Sequence, residues 1–205
     1  MKLLKSLVLA ASLLISHVSS ASLMLWLDPD VQPGVTGDDV TLTLMAGGLG
    51  DGVPLSLGAF DLDILFDSSV LSLTSYSLFD DLGLLGVDAI DVSAGPVLPG
   101  VFGLAEISLL PLFGLGDELD LFQPGEFALA ELMFHVDALE APGFTIVSME
   151  GLAFSDAAGL DIVDVEMRSA LIGTPPDTTV PEPSTLALLC LGMFFVAYRR
   201  KLKIK

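Results

Sequence analysis

The fold class this sequence predicts is an all-β sandwich, two packed antiparallel sheets, and three observations predict it. Segments in which apolar and polar residues alternate recur along the chain, clusters of Gly, Pro and Asp separate them, and long stretches of helical periodicity are missing from the middle. About eight or nine strands at this spacing fill two facing sheets.

Before the first strand, Lys2 and Lys5 precede an apolar run over 6–15, and Ser19-Ser20-Ala21 supplies small residues at the cleavage spacing. That order is a secretory signal peptide over 1–21, cut between Ala21 and Ser22. The apolar run is too short to cross a bilayer, which takes about 20 residues.

Residues 23–27 open the sandwich as an all-apolar strand, and Trp26 within it is expected in the core. In 40–44, Val40, Leu42 and Leu44 share one face and the threonines the other. The clearest alternation is 60–67: Phe60, Leu62, Ile64 and Phe66 point inward while Asp61, Asp63 and Asp67 point out. Further strands are expected at 70–76, 101–109, 144–149 and 160–167. Residues 126–139 fit two periods, because Ala128, Ala130, Leu132, Phe134 and Val136 alternate while Leu129, Leu132, Met133 and Val136 form a helical stripe. The surrounding strands favour the extended reading.

Charge narrows the function classes. Seven of the eight Lys and Arg residues fall in the first five or last seven positions, and residues 22–180 hold 26 Asp and Glu against Arg168 alone. Nucleic acid is excluded as a partner, because a phosphate backbone is bound by Lys and Arg that displace its counterions. The hydrophobic content of 52% is too high for disorder. The only cysteine, Cys190, lies in the C-terminal apolar run, so the exported region has no disulfide and no thiol nucleophile.

The stretch from Leu57 to Leu73 contains Gly58, Phe60-Asp61, Phe66-Asp67 and Val70-Leu71, and it resembles the G-x-F-D-x-x-x-x-[YF]-D-x-x-V-L signature of cohesin-like β-sandwiches. Leu129-Ala130-Glu131-Leu132-Met133-Phe134-His135-Val136 resembles a late strand of the same fold. The resemblance covers 22–172 and implies that the aromatic-Asp pair ends one strand at a tight turn. Asp67 and Ser68 suit that turn through short side chains that accept backbone N–H groups. It also implies a module that binds protein or carbohydrate, although no dockerin-contacting face can be read from these residues.

Residues 173–180 form a Pro and Thr linker. Val180, Pro181, Glu182 and Pro183 follow, then the apolar run 186–197, then Arg199, Arg200 and Lys201. This order resembles the PEP-CTERM sorting signal of exopolysaccharide-producing Gram-negative bacteria. The resemblance implies an exosortase-type membrane protease as partner. It further implies an inner-membrane stage through a transmembrane helix over 184–198 within 181–205, then cleavage near Pro-Glu-Pro and delivery to the cell surface or exopolysaccharide matrix. A helix of that length spans roughly 22 Å against a hydrocarbon core of about 30 Å, short for a permanent anchor. The basic cluster keeps the C-terminus cytoplasmic.

Chemistry between the ends is sparse. His135 is the only histidine after residue 21, and no G-x-S-x-G or H-E-x-x-H string occurs. A non-catalytic protein is expected, with a polysaccharide-active enzyme using paired carboxylates as the alternative. No cofactor is required. Calcium is the one metal the sequence suggests: Asp28, Asp30, Asp38 and Asp39 stand at spacings resembling an EF-hand loop, with Pro33 where that loop needs Gly and Asp39 where it needs Glu. A calcium-dependent adhesion module is the corresponding alternative function. Asp61 and Asp63 lie two residues apart on one strand face, about 6.8 Å by strand rise. Trp26 and Tyr76 are the aromatic platforms available to a sugar ring, and no carbohydrate site can be located from sequence.

Overall fold

The computed structural model describes residues 22–50, 56–140 and 143–174. The signal peptide expected over 1–21, the sorting residues Val180 to Pro183, Arg199 and Arg200, and the helix expected over 184–198 lie outside the described residues. Two compact units divide the chain, Met1–Thr174 and Pro175–Lys205.

Among the described residues the first unit forms twelve strands. They are β1 (Met24–Asp28), β2 (Val31–Gln32), β3 (Asp39–Gly47), β4 (Ala59–Leu65), β5 (Leu71–Leu78) and β6 (Ala89–Asp91), followed by β7 (Gly95–Leu98), β8 (Val101–Ser108), β9 (Glu126–Val136), β10 (Phe144–Ser155), β11 (Glu166–Arg168) and β12 (Ala170–Gly173). A 3-10 turn (Leu110–Phe113) and a short helix α1 (Gly116–Phe122) connect β8 to β9. One sheet has five strands in the order β11-β1-β3-β9-β5. The other has seven, in the order β2-β12-β10-β4-β8-β6 with β7 also on β8.

Both sheets are mixed, which corrects the expectation of about eight or nine purely antiparallel strands. β1 pairs with β11 and β12 with β2 in parallel. The cause is a split first strand: β1 ends at Asp28 in one sheet, and after Pro29, which has no N–H for a ladder, β2 starts in the other. The strands absent from the prediction, β2, β6, β7 and β12, have two to four residues, too few to display a period.

Residues 160–167 are not one strand. Only a bridge from Asp161 to Ser155 and the start of β11 are extended there. Gly159 and Asp164 have φ of 75° and 61°, left-handed conformations that interrupt a ladder. The ambiguous segment is a strand, β9, because it lies between β3 and β5 and satisfies its backbone groups on both edges. A bulge between Leu44 and Met45 in the pairing with β3 inverts its parity, so Phe127 and Leu129 face inward before the bulge and Ala130, Leu132, Phe134 and Val136 after it.

The core lies between the sheets. Leu25, Leu42, Leu44, Leu132 and Phe134 from one side meet Leu62, Ile64, Leu104, Val147 and Ile172 from the other, most with no exposure at all. Phe66 is half-buried beside them, its ring edge-on to Phe134 at 5.4 Å and 76°. The expected turn follows: the Asp67 carboxylate accepts Ser69 N–H at 2.9 Å and the Ser69 hydroxyl at 2.6 Å. Those hydrogen bonds hold the Asp67 pKa below its ordinary value. Gly100, with φ of 78°, packs against the carbonyl of Phe66, where a side chain would collide, and its own carbonyl accepts Phe66 N–H at 2.9 Å.

Candidate functional site

At the middle of the seven-stranded sheet, β10, β4 and β8 lie side by side and present one outer face. On β4 the outward row is Ala59, Asp61, Asp63 and Leu65, since Phe60, Leu62 and Ile64 are taken by the core. Asp61 stands between Ala105 of β8 and Ala153 of β10; Asp63 stands between Gly103 and Glu150. Small residues beside carboxylates leave a hollow of about 370 Å³, lined among others by Asp61, Val92, Ala105, Ile107, Ala153 and Asp161. β10 has a bulge between Gly151 and Ala153, and Ala153 after it lines the hollow. The two ion pairs among the described residues are elsewhere, so these carboxylates are not neutralised by the protein.

β8 carries an unusual inward row of Phe102, Leu104, Glu106 and Ser108. Glu106 is opposite Phe60 on one side and Asp91 on the other, 1% exposed, with both carboxylate oxygens lacking a partner among the described residues. Burial, and then the charges of Asp91 and Asp81, push its pKa up to about 8, so it is a neutral acid at pH 7. Asp91 takes the opposite course. Burial raises it, but hydrogen bonds from Ser93 and from the Tyr76 hydroxyl at 2.9 Å outweigh that and hold it low. Tyr76 rests edge-on against Phe102 at 5.1 Å, so its ring serves packing.

On the five-stranded sheet the outward row of β1 is Met24, Trp26 and Asp28, with Trp26 flanked by buried Leu25 and Leu27. This overturns the expected core position: with both neighbours turned inward, the period of two sends the indole out, where it is half-buried. Trp26, Met24, Asp30, Glu126, Arg168 and Ser169 surround a hollow of about 310 Å³.

The carboxylates considered for calcium are spread along β1, its following turn and the start of β3. Asp28 and Asp30 are exposed, Asp38 accepts Val35 N–H at 3.0 Å, and Asp39 holds His135 Nδ1 at 2.7 Å. Among the described residues no three His, Cys, Asp or Glu side chains gather as a metal-ligating group. His135 faces outward, as its strand parity predicts, and its bond to Asp39 raises its pKa. No described helix is long and apolar enough to cross a membrane. Sequence reasoning missed Glu106 and the two hollows; the parity of β8, with Phe102 and Leu104 on the side of Glu106, was the available signal for the first.

Residues 179–201 match the PEP-CTERM protein-sorting motif. No curated protein matches the chain. In structure it is similar to the sixth cohesin of scaffoldin B from Acetivibrio cellulolyticus, solved with a dockerin, at a TM-score of 0.59 and 15% identity over 75% of this chain and 99% of that one. The seventh ScaB type I cohesin from Pseudobacteroides cellulosolvens gives 0.58 and 11% over 78% and 97%. A type I cohesin from Clostridium thermocellum, solved in a cohesin–dockerin complex, gives 0.57 and 10% over 75% and 99%. At these identities the likeness concerns the fold. The chain therefore joins a cohesin-like β-sandwich to a PEP-CTERM protein-sorting motif.

Proposed function

We propose that the protein is a non-catalytic binding module that is exported, held at the inner membrane by its tail and cut by an exosortase. It then serves at the cell surface or in the exopolysaccharide matrix of a Gram-negative bacterium. The observation that carries this is the sorting motif at 179–201 on the same chain as a complete sandwich. A Pro-Glu-Pro sequence favours an extended cut site, and an apolar run with a basic end favours a place at the bilayer, which supports this reading.

For the sandwich, the proposed ligand is another surface protein, docked on the outer face of β4, β8 and β10. Cohesins of this fold are seen with dockerins, and here the seven-stranded sheet offers an apolar hollow beside the unneutralised Asp61 and Asp161. A partner bringing Lys or Arg around an apolar contact complements that face. A polysaccharide-active enzyme is the weaker reading: the domain's single histidine is a surface residue paired with Asp39, and Glu106 is enclosed.

The test replaces Pro181-Glu182-Pro183 with three alanines in the native host. The variant should still be exported but stay full length in the inner membrane; a variant that is still shortened and still reaches the matrix contradicts processing at this motif. Incubation with the host's polysaccharide addresses catalysis, since new reducing ends would make the protein an enzyme.

A further inference from the structure

From the hollow on the five-stranded sheet we infer that the protein carries a second binding site, for a neutral pyranose ring, formed by Trp26, Arg168, Asp30 and Glu126. It lies on the sheet opposite the proposed protein-binding face and does not depend on it.

Two rare residues meet at this hollow. The chain has one Trp, and residues 22–180 have one Lys or Arg, yet the two meet as direct register partners, Trp26 with Arg168, on the parallel strands β1 and β11. A solvated cation in a domain this acidic has many carboxylates to sit beside. Placement next to the one indole, in a hollow, is what a ligand site needs.

Gly47 of β3 seats the indole. A side chain on Gly47 would come within 3.0 Å of the far edge of the indole, so the bare glycine is what lets Trp26 lie down over β3. Held there, the ring stays half-buried at the hollow instead of standing free in water. A flat aromatic surface of this kind takes the C–H face of a sugar, and few rotatable bonds must be fixed when it does.

The polar rim then selects the class of ligand. Arg168 donates through Nε at 2.9 Å and through a terminal nitrogen at 2.8 Å to one oxygen of Glu166, leaving its other N–H groups free for sugar oxygens. Glu126, aligned with Gly47 in the β3–β9 register, and Asp30 from the turn after β1 supply acceptors for hydroxyl protons. Three carboxylates around one guanidinium leave the rim negative, so a uronic acid or a sulfated sugar is repelled and a neutral ring is not. The volume of about 310 Å³ is at the small end for ligand pockets, fitting one ring of a polysaccharide rather than a long segment.

Because Trp26 is the only tryptophan, its emission reports this site alone. The full chain, in micelles of a sugar-free detergent, is titrated with methyl β-glucopyranoside, methyl α-mannopyranoside, methyl β-galactopyranoside and galacturonate. At least one neutral pyranoside should shift the emission saturably, with galacturonate inert. Arg168→Gln and Glu126→Gln, both at exposed positions, should each weaken that response by about tenfold, the loss of one charged hydrogen bond. No saturable response to any neutral sugar up to about 100 mM, weaker than any useful site, would overturn the assignment. So would a preference for galacturonate, or a response unchanged in both variants. None of these outcomes bears on tail processing or on the protein-binding face.

Discussion

β9 and β8 are both central strands with one row of side chains in the core, yet the rows differ in kind. That of β9 stays apolar to its end, through Leu132, Phe134 and Val136, each with no exposure. That of β8 begins with Phe102 and Leu104 and then turns polar at Glu106 and Ser108, still buried. β9 is also hydrogen-bonded along its length to two long strands, whereas the outer edge of β8 is shared between short β6 and β7. The five-stranded side is packed by a continuous apolar row held between two long ladders. The seven-stranded side instead buries polar groups at the end of β8, where its outer neighbours are short.

The largest effect should come from breaking the β9 row. Phe134→Ala removes a fully buried ring and should cost about 3–5 kcal/mol in chemical denaturation. A loss below about 1 kcal/mol would mean that the site collapses freely and the contrast fails.

Next is the pH dependence that Glu106 imposes. Its folded pKa of about 8 exceeds the ordinary 4.5, so between those values the folded state holds a proton that the unfolded state has lost. Stability should therefore fall as pH rises through that window, by about tenfold in the folding equilibrium per pH unit, and level off above it. Glu106→Gln should flatten this slope. His135 contributes a slope of the same sign, since Asp39 raises its pKa, but it is present in both proteins and cancels in the comparison. Parallel pH profiles for native and variant chains would show that Glu106 is ionised when folded.

A double-mutant cycle between Phe66 and Phe134 extends the contrast, because their edge-on contact joins the five-stranded sheet to the turn after β4. Coupling of about 0.5–1.5 kcal/mol is expected, and coupling near zero would mean that the turn is held by Asp67 and Ser69 alone. Smallest is Asp63→Asn on the outer face. It removes one of two like charges directly opposite across β4 and β10, Asp63 and Glu150, and stability should change by no more than about 0.5 kcal/mol.

Where a strand was long and one face was dry, the sequence was enough to find it. Val40, Leu42 and Leu44, and Phe60, Leu62 and Ile64, are buried as their alternation predicts, and the Asp67 turn forms at the place the aromatic-Asp pair marks. Short strands such as β2 and β6 left no period to read, and residues 160–167 had the composition of a strand but Gly159 and Asp164 in conformations that stop one. Trp26 was misread because an all-apolar strand does not reveal which parity faces the core. The two hollows were illegible for a related reason: each joins residues far apart in the chain, such as Asp61 with Asp161 and Trp26 with Arg168, and no local pattern records that meeting.

The fate of the tail decides where the protein acts, and mass spectrometry of the mature protein's C-terminus, purified from its native host, reads it out. Processing at the matched motif predicts a chain that ends near Pro181-Glu182-Pro183 and lacks the apolar run 186–197 with the basic residues beyond it. A mature protein that still ends at Lys205 would contradict it, and the sandwich would then act as a permanently membrane-held domain.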